Sequence, residues 1–255
     1  MPSLWDETRV GVFETIRVSK GRPVAWAAHW ARLRESQQTV GRPRPSAGLQ
    51  QPLLRAIRRL PRGTTGVRLD VSTMSDDPTI AAQVLPRRRA RPRSPWRRGI
   101  DVVTAAGRQG SPAAVPAQVK SRERLAGVMA WGEAAQPPVR EVLWRNAQGL
   151  MTEGTVSNLF MVRRGQLVTP PTWSGVLPGI VRAAVLRAAR QLKIPVMEQP
   201  FTRHELFTAS EAFVSNSLIG ILPIRTVDGR RIGSRCPGAI TQRLRRPVMA
   251  RARKG

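Results

Sequence analysis

A chain of 255 residues, 41 % of them apolar, is long enough to bury a substantial core, and no apolar run approaches the roughly 18 residues of a membrane span. The formal charge of +27 raises nucleic acid or another polyanion as a partner. Only four of the 43 basic residues are lysines, however, and the arginines spread along nearly the whole chain, a pattern of coding bias rather than of a binding surface, so nucleic acid is not the expected partner.

Met1 to Arg9 holds no apolar stretch of the kind a secretory signal needs, and a cytoplasmic setting is expected. Val12 to Val18 alternates as a strand, Ser19-Lys20-Gly21-Arg22 reads as a turn and Pro23 to Trp26 returns, which makes an opening hairpin. A helix is predicted from about Ala28 to Gln38, and a second near Pro52 to Leu60, with Leu53, Leu54, Ile57 and Leu60 on one face. Strands at Val67 to Val71, Ile80 to Leu85 and Ile100 to Ala105 complete a small α+β domain over residues 1–116. Within it, Pro86 to Arg98 has the Pro/Arg composition of a solvated loop. Gly107 to Gln118 lacks periodicity and is the expected interdomain linker.

A larger α/β domain, residues 117–255, is predicted to open with a helix near Arg122 to Ala135. A strand (Glu141 to Arg145), a turn at Gln148-Gly149, a hairpin around Arg163-Arg164-Gly165 and a helix from about Ile180 to Leu192 follow. Strands resume at Ala212 to Ser215 and Pro223 to Val227, the latter ending in a Val227-Asp228-Gly229 turn. The run from Arg243 to Lys254 reads as a basic surface tail. The single cysteine, Cys236, allows no intramolecular disulfide; two histidines, His29 and His204, are too few and too scattered for a zinc site or a Cys/His nucleophile, and no metal is expected.

Three segments carry chemistry. Lys120 follows the linker in a chain that otherwise uses arginine for positive charge; it reads either as surface charge or as an amine that attacks a carbonyl, which a guanidinium does not do. Glu153 to Phe160 places a carboxylate, small hydroxyls and an amide before an apolar strand, and alone it is equally an ordinary polar turn. Gly175 to Arg182 runs through a glycine into a helix, whose free N–H groups and positive dipole end suit a phosphate.

In order along the chain, GVFETIRV (Gly11 to Val18), HWARLRES (His29 to Ser36), VKSRERL (Val119 to Leu125), EGTVSNLF (Glu153 to Phe160), TPP with GVLPGIVR (Thr169 to Arg182) and AFVSNSLIGILPI (Ala212 to Ile224) resemble the fold-type IV pyridoxal-phosphate enzymes. That group contains branched-chain and D-amino-acid aminotransferases and aminodeoxychorismate lyase. Thr39 to Gln118 shows no clear correspondence. The resemblance implies an α/β fold, with a small α+β domain, a larger barrel-like α/β domain supplying most contacts to pyridoxal 5'-phosphate (PLP), the cofactor between them, and a homodimer with each site near the interface. It makes Lys120 the catalytic lysine that holds the cofactor and moves the substrate proton, and Glu153 the carboxylate facing the pyridine nitrogen. Arg32 is implied to pair with the cofactor phosphate, the backbone of Ile180 and Val181 and the Ser217 hydroxyl to complete the phosphate cup, and Gly179 and Asn216 to bind the cofactor as well. Leu177 lies against the ring, Ser157 and Asn158 hold the turn that aims Glu153, and His29 is a structural helix residue.

Branched-chain and D-amino-acid aminotransferases resemble one another in using tyrosines near cofactor and substrate, and this chain has none. FETIRV, KSRERL and SNSL lean instead toward aminodeoxychorismate lyase. The expected reaction then converts 4-amino-4-deoxychorismate to p-aminobenzoate and pyruvate in the folate pathway. A dicarboxylate substrate calls for arginines, here Arg17, Arg68 and Arg108, with Arg124 beside the cofactor's phenolic oxygen. A class IV aminotransferase is the alternative, and a polyanion-binding protein on an inactive scaffold is the distant one.

Overall fold

The computed structural model describes residues 11–71, 80–85, 95–107, 119–121, 132 and 138–254, with 251–254 described by backbone alone. Described residues 11–71, 80–85 and 119–121 form one compact unit; residues 95–107 and 138–251 belong to a second.

The small unit is built on β1 (Val12–Ser19), the centre of a four-stranded antiparallel sheet ordered β2-β1-β3-β4 with β2 (Arg22–Pro23), β3 (Gly66–Val71) and β4 (Ile80–Leu85). Alternation sends Val12, Ile16 and Val18 to one face, beneath α1 (Trp26–Thr39) and α2 (Gln50–Arg58), where they pack with Trp30, Leu33, Ile57, Val67 and Leu69. Phe13, Thr15 and Arg17 take the other face, and the register sets Asp70 and Arg68 opposite Phe13 and Thr15. The opening hairpin is present, but its return is only two residues long because Ala25 (φ 54°) turns the chain and Trp26 already begins α1.

The large unit contains β5 (Ile100–Thr104), β6 (Val139–Arg145), β7 (Met151–Gly154), β8 (Asn158–Arg163), β9 (Gln166–Thr169), β10 (Val196–Glu198), β11 (Glu211–Asn216), β12 (Gly220–Val227) and β13 (Arg230–Arg231). Their order is β10-β9-β8-β11-β12-β5-β6-β7, and β7 pairs back onto β8, so the six strands β8-β11-β12-β5-β6-β7 close a barrel. Val102, Leu143, Met151, Leu159, Met161 and Val214 fill one core. On the alternate strand face, Phe160, Val162 and Phe213 pack against Val185 and Ala189 of a helix over Ile180–Gln191 and against Leu244 and Val248 of the C-terminal helix Ala239–Lys254. Short helices at Pro95–Arg98 and Arg203–Phe207 make these four helices α3 (Pro95–Arg98), α4 (Ile180–Gln191), α5 (Arg203–Phe207) and α6 (Ala239–Lys254). Among the described residues no helix is long and apolar enough to cross a membrane.

Further placements differ from the sequence-based expectation. β5 is not part of the small sheet; it lies parallel to β12 and β6 inside the barrel. Val119 to Ser121 joins the small unit instead of opening the large one, through a Val12–Ser121 bridge and the Phe13 N–H donated to the Lys120 carbonyl at 3.0 Å. Arg243 to Lys254 is no tail but most of α6, whose Thr241, Leu244 and Val248 are buried. Of the Pro/Arg loop, residues 95–98 are helical, and Trp96 packs on the core of the large unit beneath the Arg245 guanidinium, 4.1 Å from its ring. The linker beyond Gly107 and the helix near Arg122 to Ala135, apart from a helical Gly132, lie outside the described residues.

Candidate active site

The face of the small sheet opposite the helices gathers the expected amine and two of the expected arginines. The Lys120 Nζ lies 4.8 Å from the centre of the Phe13 ring and the Arg68 guanidinium 3.9 Å from it, so two cations rest on one aromatic side chain. Arg68 is held by Asp70 through Nε at 2.9 Å, and Arg17 projects from the same face by alternation along β1. Arg108 and Arg124, the other candidates for substrate and cofactor contacts, lie outside the described residues.

The helix-covered face holds a group that sequence reasoning left without a role. Glu14 is 1 % exposed and accepts from Arg32 Nε and Nη2 and from His29 Nδ1, all at 2.7 Å. Burial works against the charged form of Glu14, yet the bonds from His29 and Arg32 outweigh it and pull its pKa down to about 2. Burial pushes the His29 imidazole below its usual range, against the pull of Glu14 and with added repulsion from Arg32 and Lys120, so the ring is neutral at pH 7 and donates its Nδ1–H. His29 is thus a buried structural residue, and two donors of the arginine expected on a phosphate are committed to Glu14. The signal in the sequence is an acidic residue at an inward position of an otherwise apolar alternating strand, which must find a partner.

In the large unit, Glu153 sits on β7 at the seam where the barrel closes, paired in register with Asn158. Its carboxylate is buried, and Oε2 accepts from Asn158 Nδ2 and from the Leu177 N–H, each at 3.1 Å. Asn158 also donates to the Leu177 carbonyl at 2.9 Å, so one amide ties the carboxylate to the loop before α4. Ser157 serves another carboxylate: its hydroxyl donates to Glu141 Oε2 at 2.6 Å. Glu141, a second residue that sequence reasoning missed, is 3 % exposed and also accepts from the Val142 N–H (3.0 Å), the Thr155 N–H (3.0 Å) and the Thr155 hydroxyl (2.5 Å). Its pKa is raised by burial, against the opposing effect of those donors.

The start of α4 leaves backbone donors without helical partners. Its N-cap is Gly179, which offers no side-chain cap; the first helical bond is donated by Ala183, so the N–H groups of Ile180, Val181 and Arg182 have no partner within the helix. A Cβ on Gly179 would overlap the Asn158 side-chain oxygen, which is why a glycine stands where φ is an ordinary −68°. Asn216 uses its side chain internally, accepting from the Leu218 and Ile219 N–H groups and donating to the Val156 carbonyl, and so shapes the loop that carries Ser217. Ser215 is directly opposite Asn158 across β11 and β8; its hydroxyl is fully buried and has no hydrogen-bond partner among the described residues.

Residues 11–227 match the class IV aminotransferase family model. The chain is 35 % identical over 147 residues to the branched-chain-amino-acid aminotransferase of Escherichia coli, an alignment covering 57 % of this chain and 48 % of that protein. It spans about half the length of the first curated relatives it matches. Among solved structures, the 4-amino-4-deoxychorismate lyase of Pseudomonas aeruginosa is 28 % identical, with a TM-score of 0.82 over 93 % of this chain and 92 % of that one. The Escherichia coli branched-chain amino acid aminotransferase is also 28 % identical, with a TM-score of 0.80 over 93 % and 83 %. The chain belongs to the class IV aminotransferase family, whose members use pyridoxal 5'-phosphate, and has the fold of the fold-type IV enzymes. The residues fit that cofactor: a buried carboxylate aimed by neutral donors, a glycine with no room for a Cβ before an uncapped helix start, and an orphaned hydroxyl beside Asn158.

Proposed function

We propose that this chain is a PLP-dependent lyase that converts 4-amino-4-deoxychorismate to p-aminobenzoate and pyruvate, with Lys120 as its catalytic amine. The observation that carries the reading is the small sheet's face opposite the helices, where Lys120 and Arg68 share the Phe13 ring and Arg17 lies alongside. That grouping offers a nucleophilic amine beside guanidinium groups suited to a dicarboxylate. The absence of tyrosine from the whole chain favours the lyase over the aminotransferases.

Bound PLP supplies an electron sink conjugated with the substrate nitrogen. On this reading the Lys120 Nζ binds the cofactor, is released by the substrate amine, and takes the proton from C4 as the enolpyruvyl group leaves and the ring becomes aromatic. Glu153 faces the pyridine nitrogen and keeps it protonated. The N–H groups of Ile180 and Val181, with Ser217 and the positive charge of Arg32, hold the phosphate, and Leu177 packs on the ring. A class IV aminotransferase is the second reading, supported by the 35 % identity to branched-chain aminotransferases over 147 residues.

Protein loaded with PLP is to be incubated with aminodeoxychorismate, with Lys120→Ala alongside. The lyase predicts p-aminobenzoate and pyruvate in equal amounts from the wild type and neither from the variant. A wild type that binds PLP and makes neither product contradicts it.

A further inference from the structure

We propose that Glu141 is a positioning residue, whose carboxylate fixes the turn from Gly154 to Ser157 and, through it, the Asn158 amide that holds Glu153. This rests on the reading of Glu153 as the carboxylate that faces the cofactor ring.

Glu141 shares the face of Leu143 on β6, yet where Leu143 meets apolar neighbours its carboxylate meets the Val142 N–H and the turn between β7 and β8. Oε1 accepts from both the N–H and the hydroxyl of Thr155, and Oε2 from the Ser157 hydroxyl, so one carboxylate grips the turn at two positions. The turn closes on itself through the Gly154 N–H donated to the Ser157 carbonyl at 2.7 Å. Gly154 admits the carboxylate: a Cβ there would stand 2.7 Å from the Glu141 carboxyl carbon, 2.8 Å from Oε2 and 2.5 Å from Ser157 Oγ. The next residue after Ser157 is Asn158, which donates to both Glu153 and the Leu177 carbonyl. A displaced turn therefore moves the hydrogen bond that aims Glu153 and the tie to the loop before α4.

Acceptor geometry, rather than charge, makes this contact. All four hydrogen bonds on Glu141 come from neutral groups, and burial opposes its ionisation. A glutamine can keep the arrangement, with its carbonyl in the place of Oε1 and its amide donating to a Ser157 hydroxyl turned to accept. A leucine offers nothing to these donors.

The test compares Glu141→Leu, Glu141→Gln, Ser157→Ala and Glu153→Gln in the full-length protein. PLP affinity is measured by quenching of tryptophan fluorescence, the pH midpoint of the bound cofactor's visible band by titration, and folding of each apoprotein by circular dichroism. Glu141→Leu is expected to weaken PLP binding by about tenfold and to move the midpoint in the same direction as Glu153→Gln, with the two changes less than additive when combined. Glu141→Gln restores the affinity to within about twofold, and Ser157→Ala, which removes only the Oε2 contact, shows a smaller shift of the same sign. If Glu141→Leu does not fold, Ser157→Ala decides. Wild-type affinity and midpoint in the folded variants, with both altered in Glu153→Gln, overturn the role of Glu141. An unaltered Glu153→Gln overturns the reading of Glu153 itself, and this proposal with it.

Discussion

Glu14 and Glu141 are both almost wholly buried, and their pKa values move in opposite directions because the donors around Glu14 outweigh burial and those around Glu141 do not. Glu14, held by an arginine and a histidine, titrates near 2 and contributes stability that is present above its unfolded pKa of 4.5 and lost as the pH falls toward 2. A shift of that size corresponds to about 3 kcal/mol, so Glu14→Gln should lose stability of that order at pH 7, and its urea midpoint should vary less between pH 4.5 and 2 than that of the wild type. Glu141 has only neutral donors and a raised pKa: its contribution is full below the unfolded value of 4.5 and is lost as the pH rises through the folded pKa. Glu141→Gln is therefore expected to be at least as stable as wild type at pH 8, with the difference closing near pH 4; a variant less stable at pH 8 contradicts this. Gly179→Ala places a methyl group against the buried Asn158 oxygen, which must shift, so the variant should lose both PLP affinity and melting temperature.

At the scale of elements, the C-terminal helix is a load on the core rather than an appendage. Leu244 is fully buried among Phe160, Val185 and Phe213, and Leu244→Ala should lose about 2–5 kcal/mol in denaturant melts, whereas exposed Arg246→Ala should change stability by less than about 0.5 kcal/mol. The helix begins where the Ile240 and Thr241 N–H groups donate to the Glu211 carboxylate, a cap contributed by a strand 29 residues away, which no local pattern announces. Strongly alternating or turn-bounded segments were legible: β1, β4, α1, α4 and the Arg164-Gly165 hairpin all stand where period and turn chemistry put them. β7 was not, because Met151 to Gly154 is short and polar and gains its strand form from pairing with β6 and β8. β5 was seen as a strand but joined to the wrong sheet, since an isolated apolar run does not name its partner. The candidate site was read as an ordered set of motifs; Glu14 lies within the first of them, GVFETIRV, but no pattern named His29 and Arg32 as its partners, and Glu141 lies in none of them.

For the whole molecule, the class IV aminotransferase family model covers residues 11–227. The lyase and aminotransferase readings part at a half-reaction. Amino acid alone should leave the visible band of the PLP-loaded protein in place on the lyase reading; loss of that band, restored by a 2-oxo acid, would favour the aminotransferase. A homodimer belongs to the same proposal, and exposed Val156, Leu218 and Ile219, brought together by the Asn216 bond to Val156, offer apolar surface for it. Light scattering should return twice the 28.2 kDa chain mass.

Every step of the proposed reaction rests on Lys120, and the other lysines of the chain are Lys20, Lys193 and Lys254. The PLP-loaded protein should therefore be reduced with borohydride, digested and mapped by mass spectrometry. The account predicts the reduced cofactor on Lys120 and on no other lysine, with no labelling of Lys120→Ala. Label on another lysine, or none in a protein that binds PLP, would contradict it.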